Sequence, residues 1–188
     1  MFYDFLAQRD KPGGETAVGS WNSRRCYVKQ FEVLRQAEAL KGEVLEIGPG
    51  EGIFARLCKQ AGILYQGLER SAALQNRLKK EGFAVQLGTA PPLPFENERF
   101  DLVCAFAVLE HMPTFEQALG LLQECHRVLN RTGSLALIVP DYLRCGIGFF
   151  NWDYTHSFVT SPWRVRQILY DGGFDMVRLV HFTGSLTA

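Results

Sequence analysis

The run Glu46-Ile47-Gly48-Pro49-Gly50-Glu51-Gly52 places three glycines and two carboxylates within seven residues. Glycines let a backbone approach a ligand closely, and a helix that starts after such a loop offers unpaired N–H donors. A phosphate-binding dinucleotide loop would read G-x-G-x-x-G. Here the third glycine falls one residue early and Ile53 takes its slot. A nucleoside-triphosphate P-loop is excluded, since no G-K-[ST] follows. Two carboxylates and no lysine would serve a pyrophosphate poorly and a cationic ligand well. Twenty-one residues after Gly48 stands Glu69, an acid placed to accept hydrogen bonds from two vicinal ribose hydroxyls. Its plainer role is a negative charge before a helix N-terminus.

A second group of reactive side chains lies far downstream: Asp141, Tyr142, Asp153, Tyr154 and His156, amid the aromatic run Phe149 to Phe158. Such a stretch can wall a pocket for an apolar, planar or sugar-like molecule, with His156 as the candidate catalytic base. The competing explanation is that these rings pack over the end of a sheet. Trp21, Tyr27 and Phe31 would form an opposite lid. No metal-binding set is expected.

Positioning these groups requires an alternation of strands and helices. A helix from Ser23 carries Tyr27, Phe31, Leu34 and Ala37 on one stripe and stops at Gly42. Strands are expected at Glu43–Ile47, Ile63–Leu68, Phe83–Leu87, Phe100–Phe106, Gly133–Val139 and Phe174–Val180. Between them, helices follow Gly52, Ser71, Thr114 and Ser161. Ser71, Thr114 and Ser161 are the N-caps, and Pro162 takes the first helical position. Pro91-Pro92-Leu93-Pro94 must be loop, as must the segment from Pro140 to Thr160. The fold class is therefore α/β: a Rossmann-like three-layer sandwich, a mostly parallel sheet with helices on both faces. Residues 1–22 read as an N-terminal segment or lid, and 23–188 as one domain.

The series from Gly42 to Pro140 resembles the class I S-adenosylmethionine-dependent methyltransferases, in particular their small-molecule branch, methyltransferase type 11. The resemblance rests on Val44-Leu45-Glu46-Ile47-Gly48-Pro49-Gly50-Glu51-Gly52, on Glu69, and on Leu93-Pro94-Phe95 followed by Phe100-Asp101-Leu102-Val103. It continues through Val108-Leu109-Glu110-His111-Met112 and Glu124-Cys125-His126-Arg127-Val128-Leu129. It implies S-adenosyl-L-methionine as cofactor, with Glu46, Gly48, Pro49, Gly50 and Gly52 around its methionine portion and Glu69 on its ribose. Thr89 and Ala90 would meet the adenine, Thr89 standing where family members often carry an Asp; its hydroxyl can still accept a hydrogen bond. Phe106 and Ala107 would be cofactor neighbours, and His111 would position its loop. Asp101 and Arg127 match the family but have structural explanations, at a strand start and a helix C-terminus.

Methyl transfer from a sulfonium is an in-line displacement driven by the donor, so no obligatory catalytic side chain need appear. The competing functions are a methyltransferase-like binding protein without turnover and a nicotinamide-dependent oxidoreductase, the latter opposed by the glycine spacing. With 20 Lys+Arg against 20 Asp+Glu in 188 residues, the chain lacks the basic surplus of a nucleic-acid or anionic-membrane binder. Ala105-Phe106-Ala107-Val108 also replaces the Asn/Asp-Pro-Pro-Tyr tetrapeptide of amino-methylating enzymes. The expected partner is a small-molecule methyl acceptor. Five scattered cysteines without a C-x-x-C pair indicate reduced thiols and a cytoplasmic protein, and no apolar run suits a signal peptide or a membrane span. Family sheets end in a seventh, antiparallel strand, for which too few residues follow Val180. The exposed sheet edge would then need cover, with a homodimer as one candidate.

Overall fold

The computed structural model describes residues 17–181. Five strands, β1 (Glu43–Ile47), β2 (Leu64–Glu69), β3 (Val85–Leu87), β4 (Phe100–Phe106) and β5 (Leu129–Ile138), form one sheet in the order β3-β2-β1-β4-β5. All four pairings are parallel. The chain steps outward from β1 to β3, then returns to the other side of β1 with β4. This reversal leaves a crevice at the carboxyl ends of β1 and β4, where sheets of this kind hold ligands.

Both faces of the sheet are covered, as strands apolar on both sides demand. Leu45 and Ile47 of β1 and Val103 and Ala105 of β4 join one core with α4 (Phe115–Val128) and α7 (Pro162–Asp171). Val44, Leu102, Cys104 and Phe106 point to the other face, where α1 (Ala17–Gln36) and α2 (Ile53–Gln60) pack. The third helix on that side, α3 (Ala72–Lys80), contributes Leu78 to a smaller cluster with Ala55, Phe83 and Val85. All three expected N-caps form: Ser71, Thr114 and Ser161 each accept a hydrogen bond from the backbone N–H three residues on.

Four expectations change. Phe174–Val180 is not a strand: Phe174 and Met176 keep the alternation by packing on the core, but among the described residues the segment joins no strand of the sheet, and the Phe174 N–H donates back to the Leu169 carbonyl of α7 at 2.9 Å. The segment instead borders a groove of about 680 Å³ along β5 and α7. The stretch after Pro140 contains two short helices, α5 (Tyr142–Cys145), capped by Asp141, and α6 (Gly148–Trp152). Strand β5 begins at Leu129 because Phe100 pairs with Leu129 before the register shifts to Leu102 with Ser134. Finally, α1 starts at Ala17 and runs across the boundary placed between residues 22 and 23. Trp21's side chain and residues 1–16, the proposed lid segment, lie outside what is described. The rings of Tyr27 and Phe31 pack edge-on against Phe106 and Phe54 at 6.0 and 5.9 Å.

The two family-matched charges are structural. Asp101 accepts from the Glu43 N–H at 2.8 Å and from Asn130 Nδ2 at 2.7 Å. Arg127 grips Glu124 and donates to the carbonyls of Leu93 and Phe95, clamping the proline loop onto α4.

Candidate active site

A cavity of about 180 Å³ opens at the crevice. Five of the expected cofactor residues line it: Gly48, Gly50, Glu69, Thr89 and Ala90. Glu46, Pro49, Gly52 and Phe106 do not. Ile47, Leu68, Leu74, Val108 and Met112 supply apolar wall, and Arg70, Gly88, Ala107 and His111 complete it. Sequence reasoning did not single out Arg70, Leu74 or Met112. Their positions one to five residues beyond β2, and just past the short 3-10 turn Leu109–His111 after β4, were the available signal.

The glycine loop is shaped by contacts that only glycine allows. Gly52 has φ +72°, and a Cβ there would stand 2.3 Å from Leu78 Cδ2 of α3. Gly48 has φ +69° and donates its N–H to the Leu68 carbonyl at 2.8 Å, tying the loop to the end of β2. Glu51 points outward and pairs with Arg77 at 3.0 Å.

Glu69 is 4% exposed and holds the site together. Its Oε2 accepts from the Gly50 N–H at 3.1 Å and its Oε1 from the Ser71 N–H at 2.8 Å. An ionised carboxylate has about four acceptor positions, so two remain for a pair of vicinal hydroxyls. Glu46 is fully buried behind the loop. Its Oε2 accepts from the Tyr65 hydroxyl at 2.6 Å, while Oε1 has no hydrogen-bond partner. Burial pushes its carboxyl up to about 8, the Tyr65 hydrogen bond works against that rise, and the nearby Glu69 charge adds to it. An acceptor pair at Glu69, an unpartnered buried carboxylate oxygen beneath the loop and a flat apolar wall fit a cationic amino-acid nucleoside.

The downstream residues divide. Asp141 caps α5, accepting from the Leu143 N–H at 3.1 Å. Tyr142 packs edge-on against Phe149 and Phe150, and Phe149 is fully buried. Tyr154 is 75% exposed, away from any pocket wall. Asp153 accepts from the backbone and hydroxyl of Thr155 at 2.8 and 2.7 Å. His156 does not line the cavity; its ring packs at a 56° tilt against His111, centroids 4.8 Å apart, and His111 faces the cavity. Much of the aromatic run is therefore packing.

The fold thus joins an acidic glycine loop at the end of β1 to a buried carboxylate at the end of β2. Residues 45–137 match the methyltransferase domain family, and the chain belongs to the class I S-adenosylmethionine-dependent methyltransferases. An uncharacterized protein of Methanocaldococcus jannaschii is 31% identical over 139 residues, which are 73% of this chain and 59% of that one. A demethylmenaquinone methyltransferase of Thermotoga maritima is 34% identical over 102 residues, 51% of this chain and 42% of the relative. The chain thus spans about half the length of the curated relatives it matches. A solved S-adenosylmethionine-dependent methyltransferase of Archaeoglobus fulgidus superposes with a TM-score of 0.67 at 25% identity, covering 81% of this chain and 69% of that one. The magnesium protoporphyrin IX methyltransferase of Synechocystis, solved with bound S-adenosylhomocysteine, shares the fold: TM-score 0.71, 20% identity, 93% and 85% coverage.

Proposed function

We propose that this chain transfers a methyl group from S-adenosylmethionine to a small-molecule acceptor. The observation that carries this is Glu69, buried at the cavity with both oxygens already anchored by backbone N–H groups and two acceptor positions left. The cofactor supplies an electrophilic methyl on a sulfonium sulfur. The protein's share is placement. Gly48 and Gly50 let the backbone meet the methionine portion, and Glu69 orients the ribose. Thr89 and Ala90 border the adenine side, and Glu46, with one oxygen unpartnered, offers a buried hydrogen-bonding carboxyl beneath the loop. Pro49, Gly52 and Phe106 act from behind, shaping the loop and the floor of the crevice. Collinear alignment of acceptor atom, methyl carbon and sulfur is what such positioning contributes to rate.

The acceptor enters beside His111, while His156, the sequence's candidate base, packs behind that ring outside the cavity wall and bears on the acceptor only through His111. The balanced charge supports a weakly charged acceptor rather than nucleic acid. No helix among the described residues is long and apolar enough to cross a membrane. The described cysteines are all free, which supports a cytoplasmic setting. Among the described residues β5 is an edge strand, which supports a homodimer.

Calorimetric titration with S-adenosylhomocysteine, and separately with a nicotinamide cofactor, tests the proposal. Saturable binding of the first alone is expected. Binding of neither by folded protein would overturn it, and tight nicotinamide binding would favour an oxidoreductase. Screening small metabolites for methyl uptake then identifies the acceptor.

A further inference from the structure

Beside the cavity, Glu110, His111 and His156 each bring one metal-ligating atom to within 4.8 Å of the others. Distant segments are joined here because the N–H groups of Ser157 and Phe158 both donate to the Glu110 carbonyl, at 2.8 and 3.0 Å. The hydrogen bonds determine the tautomers. Thr155 gives its one hydroxyl hydrogen to Asp153 Oδ1, so its oxygen accepts from His111 Nδ1 at 2.9 Å. His156 Nδ1 meets the carbonyl oxygen of Phe149, which can only accept. Both rings thus carry their proton on Nδ1 and a lone pair on Nε2. This is the arrangement in which an anchored imidazole ligates a metal. Glu110 is 1% exposed, and its Oε2 has no hydrogen-bond partner. A buried carboxylate oxygen without a donor is costly, and either a proton on the carboxyl or a cation against it relieves that cost.

We propose that Glu110, His111 and His156 form a mononuclear site for a divalent first-row transition-metal ion. Two imidazoles and one carboxylate suit Zn²⁺, Fe²⁺ or Co²⁺ better than Mg²⁺ or Ca²⁺, which favour all-oxygen sets. Ligand atoms around such an ion stand about 3–3.5 Å apart, given bonds of about 2.0–2.2 Å, so binding draws the three side chains inward by roughly 1 Å. Asp153 adds negative charge near Glu110 and His111, with Arg70 and His156 on the positive side of the balance. His111 also lines the cavity, so the ion would present an open position there. An oxygen acceptor held on it would face the glycine loop. That last consequence rests on the proposed methyl transfer; binding of the ion does not.

The test uses the full chain, stripped with a chelator and without cofactor, titrated with Zn²⁺ by calorimetry and with Co²⁺ by absorption. The expected result is one ion per chain and a visible Co²⁺ ligand-field band without a thiolate charge-transfer band. Glu110→Gln and His156→Ala should each weaken binding at least about tenfold, and Thr155→Val, which leaves all three ligands but frees the His111 ring, by about tenfold. Metal-free melting curves establish that each variant is folded; if either ligand variant is not, the wild-type cobalt spectrum and Thr155→Val decide. Failure to saturate at one ion per chain, a thiolate band, or unchanged affinity in the folded variants would overturn the site. S-adenosylhomocysteine binding without metal binding defeats the metal site alone. Metal binding without S-adenosylhomocysteine binding defeats the methyl-transfer proposal alone.

Discussion

The two sides of the crevice are built on different principles. Most of the glycine-loop side comes from one continuous strand–loop–helix–strand passage, Glu43 to Glu69, and is tied together by backbone N–H groups on the Glu69 carboxylate, with Thr89 and Ala90 added from beyond β3. The opposite side joins Glu110 and His111 to Thr155 and His156, residues 44 or more positions apart, through side-chain contacts. A site made by consecutive residues inherits its geometry from β1, β2 and the tight turn between them. A site made by distant residues has the geometry that the packing of the two short helices α5 and α6 allows. Placement on the cofactor side should therefore resist mutation on the other side, and the reverse.

The largest effect that separates the sides belongs to Glu46, because it buries a whole carboxyl group. Its folded value, raised to about 8, lies above that of the unfolded chain. A carboxyl shifted upward favours the folded state at low pH. That contribution is complete below about pH 4.5 and is lost as pH rises towards 8. Urea unfolding at pH 5 and pH 8 should show the wild type losing stability over this window more than Glu46→Gln. Equal losses in the two proteins would remove Glu46 as the cause.

Next is Gly52→Ala. A positive φ costs an alanine about 1–2 kcal/mol, and the clash with Leu78 should add about 1–3 kcal/mol. A melting temperature within error of the wild type would show that the loop and α3 are not locked together. Glu69→Ala should weaken S-adenosylhomocysteine by about 1–3 kcal/mol, read by calorimetry, while leaving metal affinity on the far side unchanged. Unaltered S-adenosylhomocysteine affinity would remove the carboxylate from the ribose. The smallest effect is expected for Thr155→Val, about 1 kcal/mol of stability by chemical denaturation, with S-adenosylhomocysteine affinity within twofold of wild type, about 0.4 kcal/mol. A larger fall in that affinity would mean that the two sides are coupled.

How legible each side was follows the same division. Glu46, Gly48, Gly50 and Glu69 stand in a local pattern whose spacing already specifies strand, turn and helix start, and the structure puts three of the four on the cavity wall. Glu46 went behind it because alternation along β1 sends its side chain to the face that α1 and α2 cover, beside Tyr65. Phe106 likewise belongs to that covered face, with Tyr27 and Phe54 against its ring. The aromatic run looked like a pocket wall because composition cannot tell a ring that lines a cleft from one that fills a core. Phe149 is fully buried and Tyr154 is largely exposed, only five residues apart. The strand expected at Phe174–Val180 had the right alternation and failed for want of a paired neighbour, a condition that no residue within the segment controls.

By itself the sequence determined the alternation of strands and helices, the caps that start α3, α4 and α7, and the acidic glycine loop with its carboxylate at the end of β2. Each depends on neighbours within a few residues, so backbone sterics and local hydrogen bonding suffice. Only the tertiary structure decided that His111 rather than His156 faces the cavity. It alone buried Glu110 with an unpartnered oxygen beside two histidines and, among the described residues, put β5 at the edge of the sheet. Those outcomes depend on which distant segments exclude water from one another, and that is settled by packing across the whole core.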